Sequence, residues 1–316
     1  LTALAEQVDV VTLDHELVPG DALRALLAAG HAVHPHPDAL AYGQDKAHAR
    51  RRLGERGFPV PDFVVSTTRE GILAFAERAG WPVVVKHARG GYDGRGVTIA
   101  TGPDQVPPSA PGVEFVVEEL VPLAMEVAVV SVRSPSGALV QYPVVETVQD
   151  DGICRELVMP ARLDPSVAVR AAELAADIVT TIDAVGVVAV ELFVTTDGRV
   201  LVNELALRPH NSGHATIEGC VTSQFHNHLR AVLDWPLGAP AMRAPAAAMV
   251  NVLGGARPRS AADAVPAALA VTDAAVHLYG KQSRPGRKIG HVTVLDDDPT
   301  TALASARRAA TALVTP

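Results

Sequence analysis

The chain has 316 residues, 48% of them apolar and 20% charged, with a formal net charge of −8. At about 150 residues per domain this length predicts roughly two domains, or one α/β body with appendages. No apolar run approaches the ~20 residues of a membrane helix, and the acidic balance excludes a broad nucleic-acid footprint. Cys154 and Cys220 form neither a CxxC pair nor a disulfide framework, so a reducing cytoplasm is expected.

Residues 8–13 (VDVVTL) read as a buried strand, 21–29 as a helix after Pro19-Gly20, and Ala32-Val33 as a short strand. Together they predict a parallel α/β unit without its first member, since no glycine-rich strand-to-helix turn precedes residue 8. A helix over 44–56 is closed by Gly57 and Pro59, and Thr67 or Thr68 caps a second one that ends at Gly80 and Pro82. From residue 83 the texture turns to strands: 83–86, a glycine-rich loop at 90–96, then 97–100. Residues 103–112 carry four prolines and read as an exposed loop. Strands resume over 114–119, 126–132, 138–147 and 153–158, and Pro165 opens a helix to about residue 184. Two apolar runs, 187–194 and 200–205, flank Thr196-Asp197-Gly198, a hairpin signal. A polar loop at 208–214, a helix over 223–233 and a Pro/Ala-rich linker near 236–248 lead to a small strand-helix appendage. No repeat is visible.

Of 27 cationic residues only four are lysine: Lys46, Lys86, Lys281 and Lys288. In an arginine-rich chain, the surviving lysines are candidates for positions that need a compact ammonium on a flexible stem. Lys86 ends an apolar strand and is followed by Gly90-Gly91-Tyr92-Asp93-Gly94-Arg95-Gly96. Such a tip lets backbone N–H groups close around phosphate oxygens, with Lys86 and Arg95 supplying charge. Its spacing is neither GxGxxG nor GxxxxGK[ST], so Rossmann and P-loop readings fail. Glu191 and Asn203-Glu204 lie on the two arms of the 187–205 hairpin and can face one cleft. Their hard oxygens suit magnesium, which accepts one or two carboxylates plus phosphate oxygens. A carboxylate within VVAVELFV is costly unless paired or liganded.

Arg208-Pro209-His210-Asn211-Ser212-Gly213-His214 follows directly, with a planar fork for carboxylate-like anions and two hydrogen-bonding neighbours. Lys281, Arg284, Arg287 and Lys288, broken by Pro285-Gly286 and followed by His291, read as an anion-binding loop on an acidic protein. Glu118-Glu119-Leu120-Val121 follows an apolar strand as a candidate adenine hinge, with Glu126 as a candidate acceptor from ribose hydroxyls. His31, His34 and His36 sit in a Pro-rich turn, and an ordinary structural role is expected of them.

The order Lys46, Lys86, GGYDGRG, EELV, Glu126, Glu191, Asn203-Glu204 resembles the ATP-grasp carboxylate-amine ligases. GGYDGRG, NELALRPHNSGH and RPGRKIGH together resemble the N5-carboxyaminoimidazole ribonucleotide synthetases, from Asp14-His15-Glu16 to about Leu295. The resemblance implies an α/β (α+β) ATP-grasp fold with a partial Rossmann-like pre-ATP-grasp domain at 1–40. It further implies an ATP-grasp domain at 41–240, with a lid at about 60–122, and a small C-terminal domain at 241–316. It implies that Lys46, Lys86 and the Gly91, Tyr92, Asp93 and Gly94 tip contact ATP phosphates. Glu118, Glu119 and Val121 would hold adenine, and Glu126 the ribose. Glu191, Glu204 and Asn203 would bind Mg2+ or Mn2+. Arg208, His210, Asn211, Lys288 and Arg95 would serve the chemistry, in which bicarbonate becomes carboxyphosphate and is captured by the amine of 5-aminoimidazole ribonucleotide. Glu16, Tyr92, Arg95, Lys281, Arg287 and Lys288 would line the ribonucleotide and bicarbonate side. A homodimer with no nucleic-acid or membrane partner is implied as well.

The sequence departs from the family pattern in two places. A strand-loop-helix unit with a Gly-Gly-Gly-Gln-Leu type loop, which precedes this region in the family, lies outside the sequence. Leu207 stands where proline is usual. Two rival readings follow: a formate-dependent glycinamide ribonucleotide transformylase, and an ATP-binding protein with impaired catalysis.

Overall fold

The computed structural model describes residues 1–91, 96–255 and 261–314. Among the described residues thirteen strands form: β1 (Phe63–Ser66), β2 (Val83–His87), β3 (Val97–Ala100), β4 (Phe115–Glu119), β5 (Leu123–Arg133), β6 (Leu139–Gln141), β7 (Val145–Asp150), β8 (Ile153–Met159), β9 (Gly186–Thr195), β10 (Val200–Ala206), β11 (Ala246–Leu253), β12 (Ala274–Leu278) and β13 (Lys288–Asp296). They form two sheets. A four-stranded sheet runs β1-β4-β2-β3; a nine-stranded sheet runs β10-β9-β5-β7-β8-β11-β13-β12, with β6 beside β5.

Strand alternation explains how each sheet serves both a core and a cleft. In the small sheet, Val83, Val85, Phe115 and Val117 pack against Ile72, Phe75 and Ala76 of the helix Arg69–Ala79. Residues that alternate with these, Val84, Lys86 and Glu118, are thereby turned to the other face, where all three line one cavity. In the large sheet, Val127, Val129, Val188 and Val190 pack against Ile178 and Val179 of the helix Pro165–Thr181. The C-terminal strands join the same sheet through β8 and β11 and are covered by Ala302, Ala306, Ala309 and Leu313 of the helix Pro299–Val314. An alanine-rich face lets that helix lie close to the sheet.

Three expected elements form differently. The strand expected over 8–13 reduces to one parallel rung between Val11 and Val33. Only Val11 exchanges backbone hydrogen bonds there, with Ala32 and His34, and Val8 is left exposed. The strand expected over 138–147 breaks into β6 and β7, because Pro143 lacks an N–H to donate to a ladder. The helix expected over 44–56 forms as Lys46–Glu55, and Gln44 instead ends a separate helix, Pro37–Gln44, that was not expected. Asp45 between them is extended and its side chain accepts from His48 N, capping the second helix. Thr68 caps Arg69–Ala79, and Gly198 at φ 81° completes the β9–β10 turn. His36 caps Pro37–Gln44, an ordinary use of a histidine in the Pro-rich turn.

Candidate functional site

Both sheets and the C-terminal strand β13 line a cavity of about 760 Å3. Its wall includes Lys46, Lys86, Glu118, Glu126, Glu191, Asn203, Glu204, Arg208, His210, Asn211 and Lys288. These residues span more than two hundred positions of sequence and converge because the sheets turn their non-core faces toward each other.

On the small-sheet wall, Lys86 and Glu118 are diagonal neighbours on one face of the β2–β4 pair. Lys86 Nζ lies 2.8 Å from Glu118 Oε2, and Arg50 Nε donates to Glu118 Oε1. Glu118 is 2% exposed. Burial alone would push its carboxyl up, yet the Lys86 and Arg50 charges hold it down to about 2. Lys86 also donates to Asn203 Oδ1 at 3.2 Å, reaching across to the large sheet. The side chain of Glu118 is thus committed to two cations rather than aimed at a base. Asp45 pairs with Arg89 at 2.8 Å, and Lys46 N donates to Ala88 O, so Lys46 enters the cavity from an anchored helix start.

On the large-sheet wall, Glu126 faces Phe193, Glu191 faces Ala128, and Glu191 also faces Glu204. Glu126, Glu191 and Glu204 therefore form a row across β5, β9 and β10. A bulge between Val202 and Glu204 makes the row possible. Strict alternation would send Asn203 and Glu204 to opposite faces. The extra residue shifts the phase, so Val202 and Leu205 stay in the core while Asn203 and Glu204 both line the cavity. Burial, then repulsion from Glu204 and Glu126, pushes the Glu191 carboxyl well above the carboxylate range. Glu126 is raised too, by burial first, with Lys86 opposing and Glu204 adding. Glu204 is held down despite burial, because Lys46 Nζ sits 3.0 Å from its Oε2. Lys46 makes the close ion pair with this row, Lys86 and Lys288 also bear on it, and Glu191 and Glu126 are still raised.

The third wall is the loop after β10. Arg208 Nε donates to Glu16 Oε2 at 2.7 Å, which fixes the guanidinium plane. His210 is pushed down to about 3, by burial first and then Arg208, and is neutral at physiological pH. Ser212 N donates to His210 Nδ1, so the ring proton is on Nε2, 3.5 Å from Glu191 Oε1. Asn211 exchanges two amide hydrogen bonds with buried Asn251, at 2.9 and 2.8 Å.

Most of the residues singled out from the sequence meet here, including Gly91, Glu119 and Val121. Tyr92, Asp93, Gly94 and Arg95 lie outside the described residues. Lys281 and Arg287 do not reach the cavity wall. Lys281 Nζ stands 5.2 Å from the Tyr279 ring centroid, and Arg287 is exposed on a turn closed by its own N–H to Arg284 O. Sequence reasoning missed Arg50 and Asn251, whose partners are distant in sequence, and Gln224, which meets the preceding loop 14 residues back; a buried amide among apolar strand residues, as in AAAMVNVL, was an available signal for Asn251. Among the described residues no three His, Cys, Asp or Glu side chains form a ready metal cluster. Glu191 and Glu204 fit a cation that completes its shell with phosphate oxygens and water, as magnesium does. No described helix is long and apolar enough to cross a membrane.

The sequence matches the model of the ATP-grasp domain over residues 51–225 and that of the phosphoribosylaminoimidazole carboxylase C-terminal domain over 247–305. A relative from Mycobacterium tuberculosis (strain ATCC 25618 / H37Rv), named N5-carboxyaminoimidazole ribonucleotide synthase, is 47% identical over 307 residues; the match covers 94% of this chain and 72% of the relative. The fold also matches a carboxyaminoimidazole ribonucleotide synthase from Aspergillus clavatus complexed with ATP, with a TM-score of 0.91 and 34% identity over 99% of this chain and 83% of that one. A second structure of the Aspergillus clavatus N5-carboxyaminoimidazole synthase, in complex with ADP and 5-aminoimidazole ribonucleotide, gives a TM-score of 0.90 at 33% identity, covering 99% of this chain and 83% of that one. With the cavity, both matched domains and these relatives in agreement, the chain belongs to the N5-carboxyaminoimidazole ribonucleotide synthase family of ATP-grasp ligases.

Proposed function

We propose that the chain is an ATP-dependent carbon–nitrogen ligase of purine biosynthesis. It carboxylates 5-aminoimidazole ribonucleotide with bicarbonate, giving N5-carboxyaminoimidazole ribonucleotide, ADP and phosphate. The observation that carries this reading is the convergence of Lys46 and Lys86, the carboxylate row and the Arg208–Asn211 loop on one cavity, in a fold whose relatives include complexes with ATP and with the ribonucleotide.

In this reading the phosphates lie over Lys46 and Lys86, with adenine against the strand end at Glu119–Val121 and the ribose near Glu126. Glu191 and Glu204, assisted by Asn203, would hold magnesium, which when bound would supply neutralisation of phosphate charge. A bicarbonate oxygen attacks the γ-phosphorus, the bond to the bridging oxygen breaks, and ADP leaves with that electron pair. The amine nitrogen then attacks the carboxyl carbon of carboxyphosphate, phosphate departs, and the nitrogen loses a proton. Arg208, fixed by Glu16, offers its remaining N–H groups to the bicarbonate-derived oxygens. The neutral His210 offers its Nε2 proton as a hydrogen bond without adding charge. Lys288 faces the same space from β13 and serves the ribonucleotide side. Such positioning and neutralisation is the main source of rate in phosphoryl transfer.

The reading includes a cytoplasmic location and a homodimer, the latter checked by light scattering. The chemistry is tested with isotopically labelled bicarbonate, magnesium-ATP and 5-aminoimidazole ribonucleotide. Label enters the ribonucleotide in step with phosphate release. Activity with formate and glycinamide ribonucleotide, but not with bicarbonate, would instead support the transformylase reading.

A further inference from the structure

Gln224 opens the helix Gln224–Val232 and is 0% exposed, yet it lines no part of the cavity. Its side-chain amide spans the backbone of a single residue. His210 N donates to Gln224 Oε1 at 2.9 Å, and Gln224 Nε2 donates to His210 O at 2.7 Å. The second Nε2 proton points to His214 Nδ1 at 3.1 Å. Because a backbone N–H can only donate and a carbonyl can only accept, the orientation of this amide is fixed by the chain itself. The amide acts on His210 as a neighbouring strand would, in a loop that has none.

The surroundings leave the amide no alternative position. Gln224 N donates to Thr216 Oγ1 at 2.9 Å, and Thr216 Oγ1 donates to Gly213 O, so loop and helix start are tied at a second point. A Cβ on Gly213 would collide with the Gln224 amide, which accounts for glycine at that position. His214 stacks beside Phe225, closing the far side. His210 and His214 are the titratable groups that meet the amide, and burial keeps both neutral, at about 3 and about 4.

We propose that Gln224 is a positioning residue for the ligase reaction. It clamps the backbone of His210 at both polar groups, so that the imidazole and the adjoining Arg208 and Asn211 meet the bicarbonate-derived group in register. The inference rests on the functional reading above, since it acts through the loop assigned to bicarbonate. It separates the loop's effect on turnover from ATP binding, because Gln224 touches neither Lys46, Lys86 nor the carboxylate row.

The test uses Gln224→Glu and Gln224→Ala, with ribonucleotide-dependent phosphate release measured from about pH 6 to about pH 8.5. A protonated glutamic acid reproduces both His210 hydrogen bonds: its carbonyl oxygen accepts and its hydroxyl donates. His214 can change tautomer to keep its own bond. An ionised glutamate sets an acceptor against the His210 carbonyl and loses the clamp. Burial and that carbonyl both favour the neutral acid, so the glutamate variant works best at the acid end. We expect its kcat relative to wild type to fall about tenfold or more as the pH rises, while the alanine variant shows a loss of at least similar size at every pH. The KM for ATP stays within about twofold of wild type in both variants. A glutamate-to-wild-type ratio that is flat with pH overturns the proposal. A rise in the KM for ATP that matches the loss in kcat overturns it as well, since it marks a merely structural role. The wild type is read first: if it lacks ribonucleotide-dependent release, the functional reading falls and the clamp's role falls with it.

Discussion

The two walls of the cavity place buried carboxylates in opposite electrostatic conditions. On the small-sheet wall, Glu118 meets two cations and is held down to about 2. On the large-sheet wall, Lys46 pairs closely with Glu204, while Glu191 and Glu126 are pushed up by burial and by neighbouring carboxylates. On the first wall the Glu118 carboxylate sits in a closed circuit with Arg50 and Lys86. The second holds two carboxyls that burial and mutual repulsion push up, which is the condition expected of a site that a metal-bound nucleotide completes. Burial is common to both walls; close pairing with cations is what holds Glu118 down while Glu191 and Glu126 stay raised.

Substitutions that attack each wall sharpen the contrast. The largest effect is expected at Glu118. Glu118→Ala leaves Arg50 and Lys86 buried without their shared partner and costs about 3–5 kcal/mol of stability, read by denaturant unfolding. A loss no larger than that of a surface ion pair would break the closed-circuit account. Next comes the open wall. Glu191→Gln lowers turnover about a hundredfold or more, equivalent to about 2.7 kcal/mol of barrier. Its melting temperature stays level or rises, because the neutral amide matches the shape of a carboxyl whose charged form burial and repulsion already disfavour. A variant that loses stability and keeps activity would reverse the assignment of the two walls.

A smaller, more selective effect separates the lysines. Lys86→Ala weakens nucleotide binding severely, whereas Lys288→Ala leaves it near normal while turnover falls about tenfold or more. Equal loss of ATP affinity in both would remove the division of labour. The mildest effect is a pH effect on the closed wall. The folded Glu118 carboxyl titrates at about 2 against an ordinary 4.5, so its contribution is fully present above 4.5 and is lost as the pH falls toward 2. The stability of Glu118→Gln, measured over the same range, lacks that component. Equal acid slopes in the two proteins would contradict the depressed value.

Much of the open wall was legible in the sequence, because hairpin patterning and a carboxylate in an apolar strand are local signals. VVAVELFV, Asp197-Gly198 and Asn203-Glu204 placed three ligand candidates on adjacent strands. The bulge that brings Asn203 and Glu204 to one face was not legible, since a period-2 pattern gives no warning of an inserted residue. On the closed wall a different signal was missing. Glu118 belongs to the strand end read as an adenine hinge, and the pairing of its side chain with Arg50, 68 residues away, has no local signature. Glu16 and Arg208 are 192 apart, and Asn211 and Asn251 are 40 apart. Such pairings depend on the order of strands in the sheets, which local propensity does not encode. Pro143 was a visible breaker within an expected strand, and Asp45 a visible cap within an expected helix; both were outweighed by the apolar or helical texture around them.

The most direct test is phosphate release from magnesium-ATP with bicarbonate, measured with and without 5-aminoimidazole ribonucleotide. Release that depends on the ribonucleotide is the predicted result, and it would show that nucleotide wall, acidic row and loop act as one site. ATP binding without release under any combination of substrates would contradict the account and leave the nucleotide machinery without a working partner.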